Sequence, residues 1–460
     1  MSVGATPSLN FIGDTVGDVA PHAMSEMRGI RFASGNSPTT GAISLSDFRN
    51  QTLTTTVAQQ AKIQASDKQG GDRFAATHHS VSISSDGNTA IVGADSEDTG
   101  GDAAGAAYIF TRSGTTWTQQ AKIQASDKQQ GDAFGYAVSI SSDGNTGLVG
   151  AYSEGTGGEW AGAAYIFTRS GTTWTQQAKI QASDKQAYDY FGISVSISSD
   201  GNSAIVGAYG EDAVGATNAG AAYIFTRSGT TWTQQQKIQA SDKSQEDIFG
   251  FSVAISGDGN TALVGAMFED IVAATNAGAA YIFTRSGTTW TQQAKIQASD
   301  TGASDFFSRA VSISSDGNTT IVGAHQEGTG GTNAGAAYIF TRSGTTWTQQ
   351  QKIQASDKQT QDQFGYSVSI SSDGNSAIVG AHLEDTGGTN AGAAYIFTRS
   401  GTTWTQQQKI QASDAVSSHF FGSSVAISSD GNTTLVGAGG DSTGGTDAGA
   451  AYIYQGGYYI

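Results

Sequence analysis

The chain has 460 residues, with 62 glycines, 3 prolines, no cysteine and a formal net charge of −17 at neutral pH. The absence of cysteine excludes a disulfide scaffold and a thiolate metal site, and the acidic balance argues against nucleic-acid binding, which needs a basic surface. Apolar runs are short, so no membrane insertion is expected, and Met1–Glu26 lacks the basic start and apolar core of a secretory signal.

The first 51 residues carry no repeat and are called the N-terminal segment. Ser-Glu-Met-Arg and Ser-Asp-Phe-Arg within it each predict one helical turn capped by serine. A segment this small needs a partner surface to fold. It resembles short N-terminal segments of structural proteins from tailed phages of marine bacteria. The resemblance implies docking to other virion proteins, or between copies of the chain, through Met24, Arg28, Phe48 and Arg49.

One unit repeats through the rest of the chain. The string Lys-Ile-Gln-Ala-Ser-Asp begins at Lys62, Lys122, Lys179, Lys237, Lys295, Lys352 and Lys409, at spacings of 57 to 60 residues. The long first spacing arises between Asp72 and Val81, where the chain has three residues more than between Asp132 and Val138. Seven copies therefore fill the region from Leu53 to Ile460.

Each unit predicts four short strands. In the second copy, residues 134–141 alternate apolar and small polar side chains, and Asp143-Gly144 is a strong hairpin signal. Further strands are predicted at residues 147–151, 163–169 and 174–181, with Ser170-Gly171 as the last turn. No segment shows sustained helical periodicity, so the protein is predicted to be all-β.

Seven four-stranded antiparallel units predict a closed, seven-bladed β-propeller over residues 52–460. The last unit ends without an outer strand, and the missing strand stands at the front, beginning at Leu53. We expect this N-terminal strand to complete the seventh blade, because closure hides the edges of an open sheet. An open β-solenoid is the alternative, but it would not need this exchange.

Five copies contain Phe-Gly, at Phe134, Phe191, Phe249, Phe364 and Phe421, and each is followed by Val-Gly-Ala and Gly-Ala-Ala-Tyr-Ile. These motifs resemble FG-GAP repeats, which build the seven-bladed propeller of integrin α chains and of many microbial proteins. Many integrin-type blades carry a calcium loop between their first two strands. Here the connection is the short turn at Asp86 and its equivalents, which is too small to wrap six oxygens around an ion.

Charge is predicted to differ between the two faces of the disc. The Asp-Gly turns belong to one face, called the turn face. The longer loops form the other, called the long-loop face, with 29 acidic residues and, on this reading, only seven basic ones. Placing the Lys-Ile-Gln lysines elsewhere gives the long-loop face a charge of about −22 and the rest of the propeller about +6.

Two interpretations of this acidic face are open. It can serve solubility, or its carboxylates can hold Ca²⁺ or Mg²⁺ that bridges to an anionic glycan, since hard cations prefer oxygen ligands. The candidate metal ligands are Asp95, Glu97, Glu211, Asp212, Glu269, Asp270, Glu384 and Asp385.

Aromatic residues that break the repeat form a second candidate site. They are Tyr152, Trp160, Tyr188, Tyr190, Tyr209 and Phe268, and sugar rings stack on such side chains. Alternatively, each ring simply covers a gap between blades. His325 and His382 occupy equivalent positions after Val-Gly-Ala in adjacent blades and could share this ligand site. No glycine-rich phosphate loop is present and serine and aspartate recur in every repeat, so catalysis is not expected.

The sequence thus predicts a non-enzymatic phage virion protein, a tail-fibre or adhesin-type component. The N-terminal segment would anchor it in the particle, and the propeller would bind a glycan or protein on the host surface. The expected location is the virion, made in the host cytoplasm and released by lysis. The alternatives are a capsid or tail decoration protein and a cellular adhesion or scaffold propeller.

Overall fold

The computed structural model describes residues 54–271 and 274–459. The proposed docking residues Met24, Arg28, Phe48 and Arg49 lie outside the described residues. The described chain forms seven four-stranded antiparallel sheets and contains no helix, hence none that could span a membrane. The predicted seven-bladed propeller is confirmed.

The strands follow the repeat closely. Blade one contains β2 (Val81–Ile83), β3 (Thr89–Ala94), β4 (Ala106–Ser113) and β5 (Thr116–Ile123); blade two contains β6 (Phe134–Ile140), β7 (Thr146–Ala151), β8 (Ala163–Ser170) and β9 (Thr173–Ile180). Blade three contains β10 (Val195–Ile197), β11 (Ser203–Ala208), β12 (Ala221–Ser228) and β13 (Thr231–Ile238); blade four contains β14 (Ser252–Ile255), β15 (Thr261–Ala266), β16 (Ala279–Ser286) and β17 (Thr289–Ile296). Blade five contains β18 (Phe307–Ile313), β19 (Thr319–Ala324), β20 (Ala336–Ser343) and β21 (Thr346–Ile353); blade six contains β22 (Ser367–Ile370), β23 (Ser376–Ala381), β24 (Ala393–Ser400) and β25 (Thr403–Ile410). Blade seven contains β26 (Phe421–Ile427), β27 (Thr433–Ala438), β28 (Ala450–Tyr459) and, as its outer strand, β1 (Thr54–Ile63).

The ring closes as the sequence predicts. Strand β1 pairs antiparallel with β28, from Thr54 opposite Tyr459 to Ile63 opposite Ala451. The first described strand therefore supplies the outer strand of the last blade. This pairing covers the edge of β28, which would otherwise be open to another chain.

The cores lie between blades. One cluster joins Ile91 and Ile109 of blade one to Val138, Val149 and Tyr165 of blade two. Its apolar side chains come from alternate positions of adjacent sheets, which bury each other's faces. Five of the six repeated tryptophans donate their indole N–H to a glutamine of the preceding outer strand, as Trp117 Nε1 does to Gln60 Oε1 at 3.2 Å.

The glycines of the two motifs meet where adjacent blades approach most closely. A Cβ on Gly150 of Val-Gly-Ala would lie 2.0 Å from the carbonyl oxygen of Gly192 in the next Phe-Gly. Gly192 also has a φ of 96°, a conformation that glycine adopts without steric cost. The pairing of these two glycines sets the inner spacing of the blades.

The turn-face end of the central channel is ringed by backbone hydrogen bonds. The amide of Ser85 donates to the carbonyl of Ser142 at 3.0 Å, and that of Ser142 to the carbonyl of Ser199 at 3.1 Å. The same link joins Ser429 of blade seven back to Ser85 of blade one. These bonds connect inner turns of adjacent blades through backbone atoms alone.

Candidate functional site

The long-loop face carries a repeated ion-pair junction. In blade one, Lys122 Nζ lies 2.7 Å from both Glu97 Oε1 and Asp67 Oδ2, and Gln124 Nε2 donates to Glu97 Oε2 at 3.0 Å. Tyr108 donates its hydroxyl to Asp67 at 2.9 Å. Burial lowers the pKa of Lys122, but the hydrogen bonds to the two carboxylates outweigh that effect and raise it.

This junction corrects the expected charge distribution. All seven Lys-Ile-Gln lysines end their strands at the long-loop face and pair with its carboxylates: Lys62, Lys122, Lys179, Lys237, Lys295, Lys352 and Lys409. The prediction that these lysines lie away from the long-loop face is therefore wrong. With seven more positive charges, the net charge of the long-loop face becomes less negative, about −15 instead of about −22.

The candidate metal ligands do not converge in pairs. Glu97, Glu211, Glu269 and Glu384 are buried, and each binds the lysine of its own blade. The neighbouring aspartates are exposed, and each accepts a hydrogen bond from a backbone amide: Asp212 from Asn218, Asp270 from Asn276 and Asp385 from Asn390.

Asp95 has a different environment from the other candidates. It is buried, and Arg73 Nη1 lies 3.5 Å from its Oδ2. Burial raises the pKa of Asp95 to about 6, and the nearby Arg73 opposes that rise. This carboxyl therefore faces a cation of the protein itself.

One group in the described part of the chain brings three ligand-type side chains together, namely Asp414, His419 and Asp441. Lys62 Nζ lies 2.7 Å from an oxygen of each aspartate. The ammonium of Lys62 already pairs with both carboxylates, which makes the group blade seven's version of the ion-pair junction.

The turns between the first two strands do not suit calcium either. Asp86 Oδ1 accepts from Ser84 Oγ at 2.6 Å and from the Asn88 amide at 2.9 Å, while Oδ2 accepts from Asn88 Nδ2. Both carboxylate oxygens are used inside the turn, and the turn is too short to supply further ligands. The residues present therefore do not fit the calcium loop that the family resemblance would imply.

The aromatic residues chosen from the sequence do come together. Tyr190 stacks on Tyr209 with ring centroids 4.8 Å apart, and Trp160 lies 5.5 Å from Tyr188 and 6.0 Å from Tyr190. Tyr152 lies 6.2 Å from Tyr190. We call these five residues the aromatic patch. Its outer members Trp160 and Tyr188 are 43% and 45% exposed, so the patch offers open ring faces.

The patch leads to a second cluster on the axis of the propeller. The ring centroids of Tyr152 and Tyr136 are 4.6 Å apart, and those of Tyr209 and Phe251 are 6.0 Å apart. We call the axial cluster the hub; it comprises His78, His79, Tyr136, Phe251, Arg309 and Tyr366. His78 of blade one stacks on Phe251 of blade four at 5.1 Å, a contact across the axis.

His78 reaches the axis because of the long first repeat. The three additional residues lie in the segment Ala76–His79, between the equivalent of Phe-Gly and the inner strand. Thr77 and Ser80 anchor the ends of that segment, since Thr77 Oγ1 donates to the Tyr136 carbonyl and Ser80 Oγ to the Thr77 carbonyl. The insertion thus fills the channel mouth with two imidazole rings.

The predicted histidine pair joins the same cluster. The Tyr366 ring lies 5.9 Å from His325 and 3.6 Å from His382, so it stands between them. Phe306 extends this side, 5.7 Å from His325 and 5.4 Å from Phe268. His325 and His382 therefore share a site with the hub, and Phe268 lies beyond Phe306.

Burial and Arg309 keep these histidines neutral. Burial, followed by the positive charge of Arg309, lowers the pKa of His79 and of His382 to about 3. Burial also holds the pKa of His78 and of His325 well below its usual range. Neutral imidazole has one donor and one acceptor nitrogen for a ligand.

Within the repeats, the hub is built at a position that varies while the strands around it are kept. The third strand reads Ala-Ala-Tyr-Ile-Phe-Thr-Arg-Ser in six blades. By contrast, the residue two positions before the inner-strand valine is His79, Tyr136, Ile193, Phe251, Arg309, Tyr366 or Ser423. A scaffold kept constant around a varied centre is the arrangement expected of a binding site.

Sequence reasoning selected the aromatic patch but missed Tyr136, Phe251, Arg309 and Tyr366. The available signal was a column-by-column comparison of the seven copies, in which this position differs in almost every blade. Each residue gives no signal within its own repeat, and only the closed ring of blades brings residues from different repeats together.

Comparison with known families agrees with this architecture. The FG-GAP repeat family matches seven times, at residues 57–110, 117–167, 174–225, 232–283, 290–340, 347–397 and 404–454. The chain belongs to the FG-GAP repeat family. No curated protein matches it significantly. Since propellers of one family serve different functions, the function must be argued from the site.

Proposed function

We propose that this chain is a non-enzymatic recognition protein that binds a surface glycan through the aromatic patch and hub. The observation that carries the proposal is the continuous aromatic surface, from exposed Trp160 and Tyr188 to Phe251 at the axis, built from positions that vary among the repeats. Aromatic faces suit the C–H faces of sugar rings. The rigid blades hold these side chains in place, which reduces the entropy lost on binding.

Binding is favoured over catalysis by the state of the histidines. Among the described residues, the nitrogens His78 Nε2, His79 Nε2, His325 Nδ1 and His382 Nδ1 have no hydrogen-bond partner. A general base would need a pKa near the working pH and a group to orient it. Low pKa values and the missing orienting group suit a ligand contact better than proton transfer.

We further propose that this recognition protein is part of a phage virion. The resemblance of the N-terminal segment to phage structural proteins supports that role. The segment would dock to the particle and the long-loop face would meet the host surface.

The binding test uses labelled full-length protein on bacterial host cells and on immobilised glycans, with and without EDTA. We expect binding to survive EDTA, because the acidic candidates are paired with lysines. Trp160→Ala and Tyr190→Ala should each weaken binding at least about tenfold. Val416→Ala, which changes a 54% exposed apolar side chain before blade seven, is the matched control. Full binding by both aromatic variants would contradict the proposed site.

The virion test separates the remaining roles. The chain should be found in purified particles, and deletion of residues 1–51 should prevent its incorporation while leaving cell binding intact. A virion protein that binds no host cell would instead be a decoration protein. Detection only in uninfected cells would indicate a cellular adhesion propeller.

A further inference from the structure

Arg309 differs from the other arginines of the described chain. The repeated arginines donate to an asparagine and stack on a tryptophan, as Arg285 does with Asn260 and Trp290. Arg73 pairs with Asp95. The guanidinium of Arg309 has no carboxylate within 4 Å and no side-chain hydrogen bond in residues 54–271 and 274–459.

The guanidinium of Arg309 lies near two aromatic rings. Its central carbon lies 4.2 Å from the ring centroid of Tyr366 and 5.2 Å from that of Phe251. Contact with aromatic rings stabilises the cation, but it offers the N–H donors no carboxylate or carbonyl oxygen to bind. The donors of a guanidinium edge match the two oxygens of a carboxylate.

Unpartnered nitrogens surround this cation. His78 is 6% and His325 is 7% exposed, and each has a ring nitrogen without a partner among the described residues. A buried polar atom without a hydrogen bond is costly. A ligand with several oxygens would satisfy these nitrogens and Arg309 together.

We propose that the hub binds the carboxylate of an acidic sugar residue of the uronic-acid type. Arg309 takes the carboxylate, the hub histidines hydrogen-bond to neighbouring hydroxyls, and the aromatic patch stacks against the following sugar rings. This inference rests on the proposed glycan-binding function and adds a preference for negatively charged sugars. The net negative charge of the protein does not prevent it, because an unneutralised cation dominates its immediate surroundings at reduced dielectric.

The test observes the hub histidines of the full-length protein directly. Histidine-labelled protein is titrated with glucuronate, with glucose and with sodium chloride at matched ionic strength, up to about 100 mM, far above the ~1 mM Kd of a weak specific contact. We expect the hub imidazole resonances to shift saturably with glucuronate. With glucose the dissociation constant should be at least about tenfold higher, and sodium chloride should cause no saturable shift. His419, which lies beside Asp441, serves as the internal reference.

Two variants with the same charge change separate the site from a general charge effect. Arg309→Gln should weaken glucuronate binding at least tenfold, whereas Arg285→Gln should leave it unchanged. If Arg309→Gln does not fold, Arg309→Lys keeps the charge but loses the planar pair of donors, and it should also weaken binding.

The outcomes distinguish this inference from the proposed function. Equal saturation by glucose and glucuronate, or unchanged glucuronate binding by Arg309→Gln, would overturn the carboxylate assignment. So would the absence of any saturable shift. If the wild-type protein still bound cells or neutral glycans through Trp160 and Tyr190, the proposed function would stand without the carboxylate assignment. If it bound neither glucuronate nor any cell or glycan, both proposals would be overturned.

Discussion

At the scale of single residues, the hub shows how position determines chemistry. His325 follows Val-Gly-Ala, as Tyr152 and Tyr209 do in blades two and three. Its site is buried and close to Arg309, and both effects disfavour the imidazolium form. The histidine is therefore neutral in the folded protein at pH values where an unfolded histidine is protonated.

This difference predicts a loss of stability in acid. Below about pH 6.5 the unfolded chain takes up a proton at residue 325 that the folded chain does not, so stability falls as the pH falls. His325→Gln removes this contribution. The stability of the variant relative to wild type should therefore rise by about 1.4 kcal/mol per pH unit below pH 6.5.

Urea unfolding at pH 7, 6 and 5 would measure the effect. Gln326→Ala, at the adjacent non-titrating position, should show a difference from wild type that does not change with pH. The same pH-independent difference for His325→Gln would show that the histidine titrates alike in the folded and unfolded chains.

At the scale of secondary-structure elements, the ends of the outer strands tie the long loops to the blades. Lys122, near the end of β5, joins Glu97 from the β3–β4 loop to Asp67 from the connection that enters blade one. Glu97 is 1% exposed. The sequence shows these residues as separate charges, but the register of the strands makes them one junction.

Breaking one junction should cost more than removing a surface lysine. Lys122→Met leaves the charge of Glu97 buried with only neutral partners, so we expect a loss of about 3 kcal/mol in the free energy of unfolding. Lys243→Met changes an exposed lysine and should cost less than about 0.5 kcal/mol. Thermal and denaturant unfolding would measure both variants, and equal losses would argue against a stabilising junction.

At the scale of the whole molecule, stability depends on closing the ring. Strand β1 supplies the outer strand of blade seven, and Val57 also binds Gln408 of blade six through its amide and carbonyl. Removing β1 would expose the edge of β28 and part of the core between blades six and seven.

Two truncations test this closure. Deletion of residues 1–53 should leave a cooperative folding transition, whereas deletion of residues 1–63 should lower the melting temperature by more than about 10 °C or cause aggregation. Circular dichroism melts and light scattering would compare the two proteins. Similar melting of both would mean that β1 is dispensable.

Much of the architecture was predictable, because each repeat encodes its own strands and turns locally. The Asp143-Gly144 turn and the alternation after Phe134 place β6 and β7 within one residue of their observed bounds. The role of the Lys-Ile-Gln lysines was not predictable to the same degree. Strand order already ends each outer strand at the long-loop face, but only the tertiary structure shows that Lys122 pairs there with carboxylates from two separate connections.

The sequence by itself determined the seven blades, their strand order, the closing strand and the aromatic patch. All of these follow from local pattern and from the contact of neighbouring repeats. Only the tertiary structure decided that His78, Phe251, Arg309 and Tyr366 meet on one axis. Closing the ring brings the His78 ring near that of Tyr366, about 290 positions further along the chain, and no local pattern records that contact.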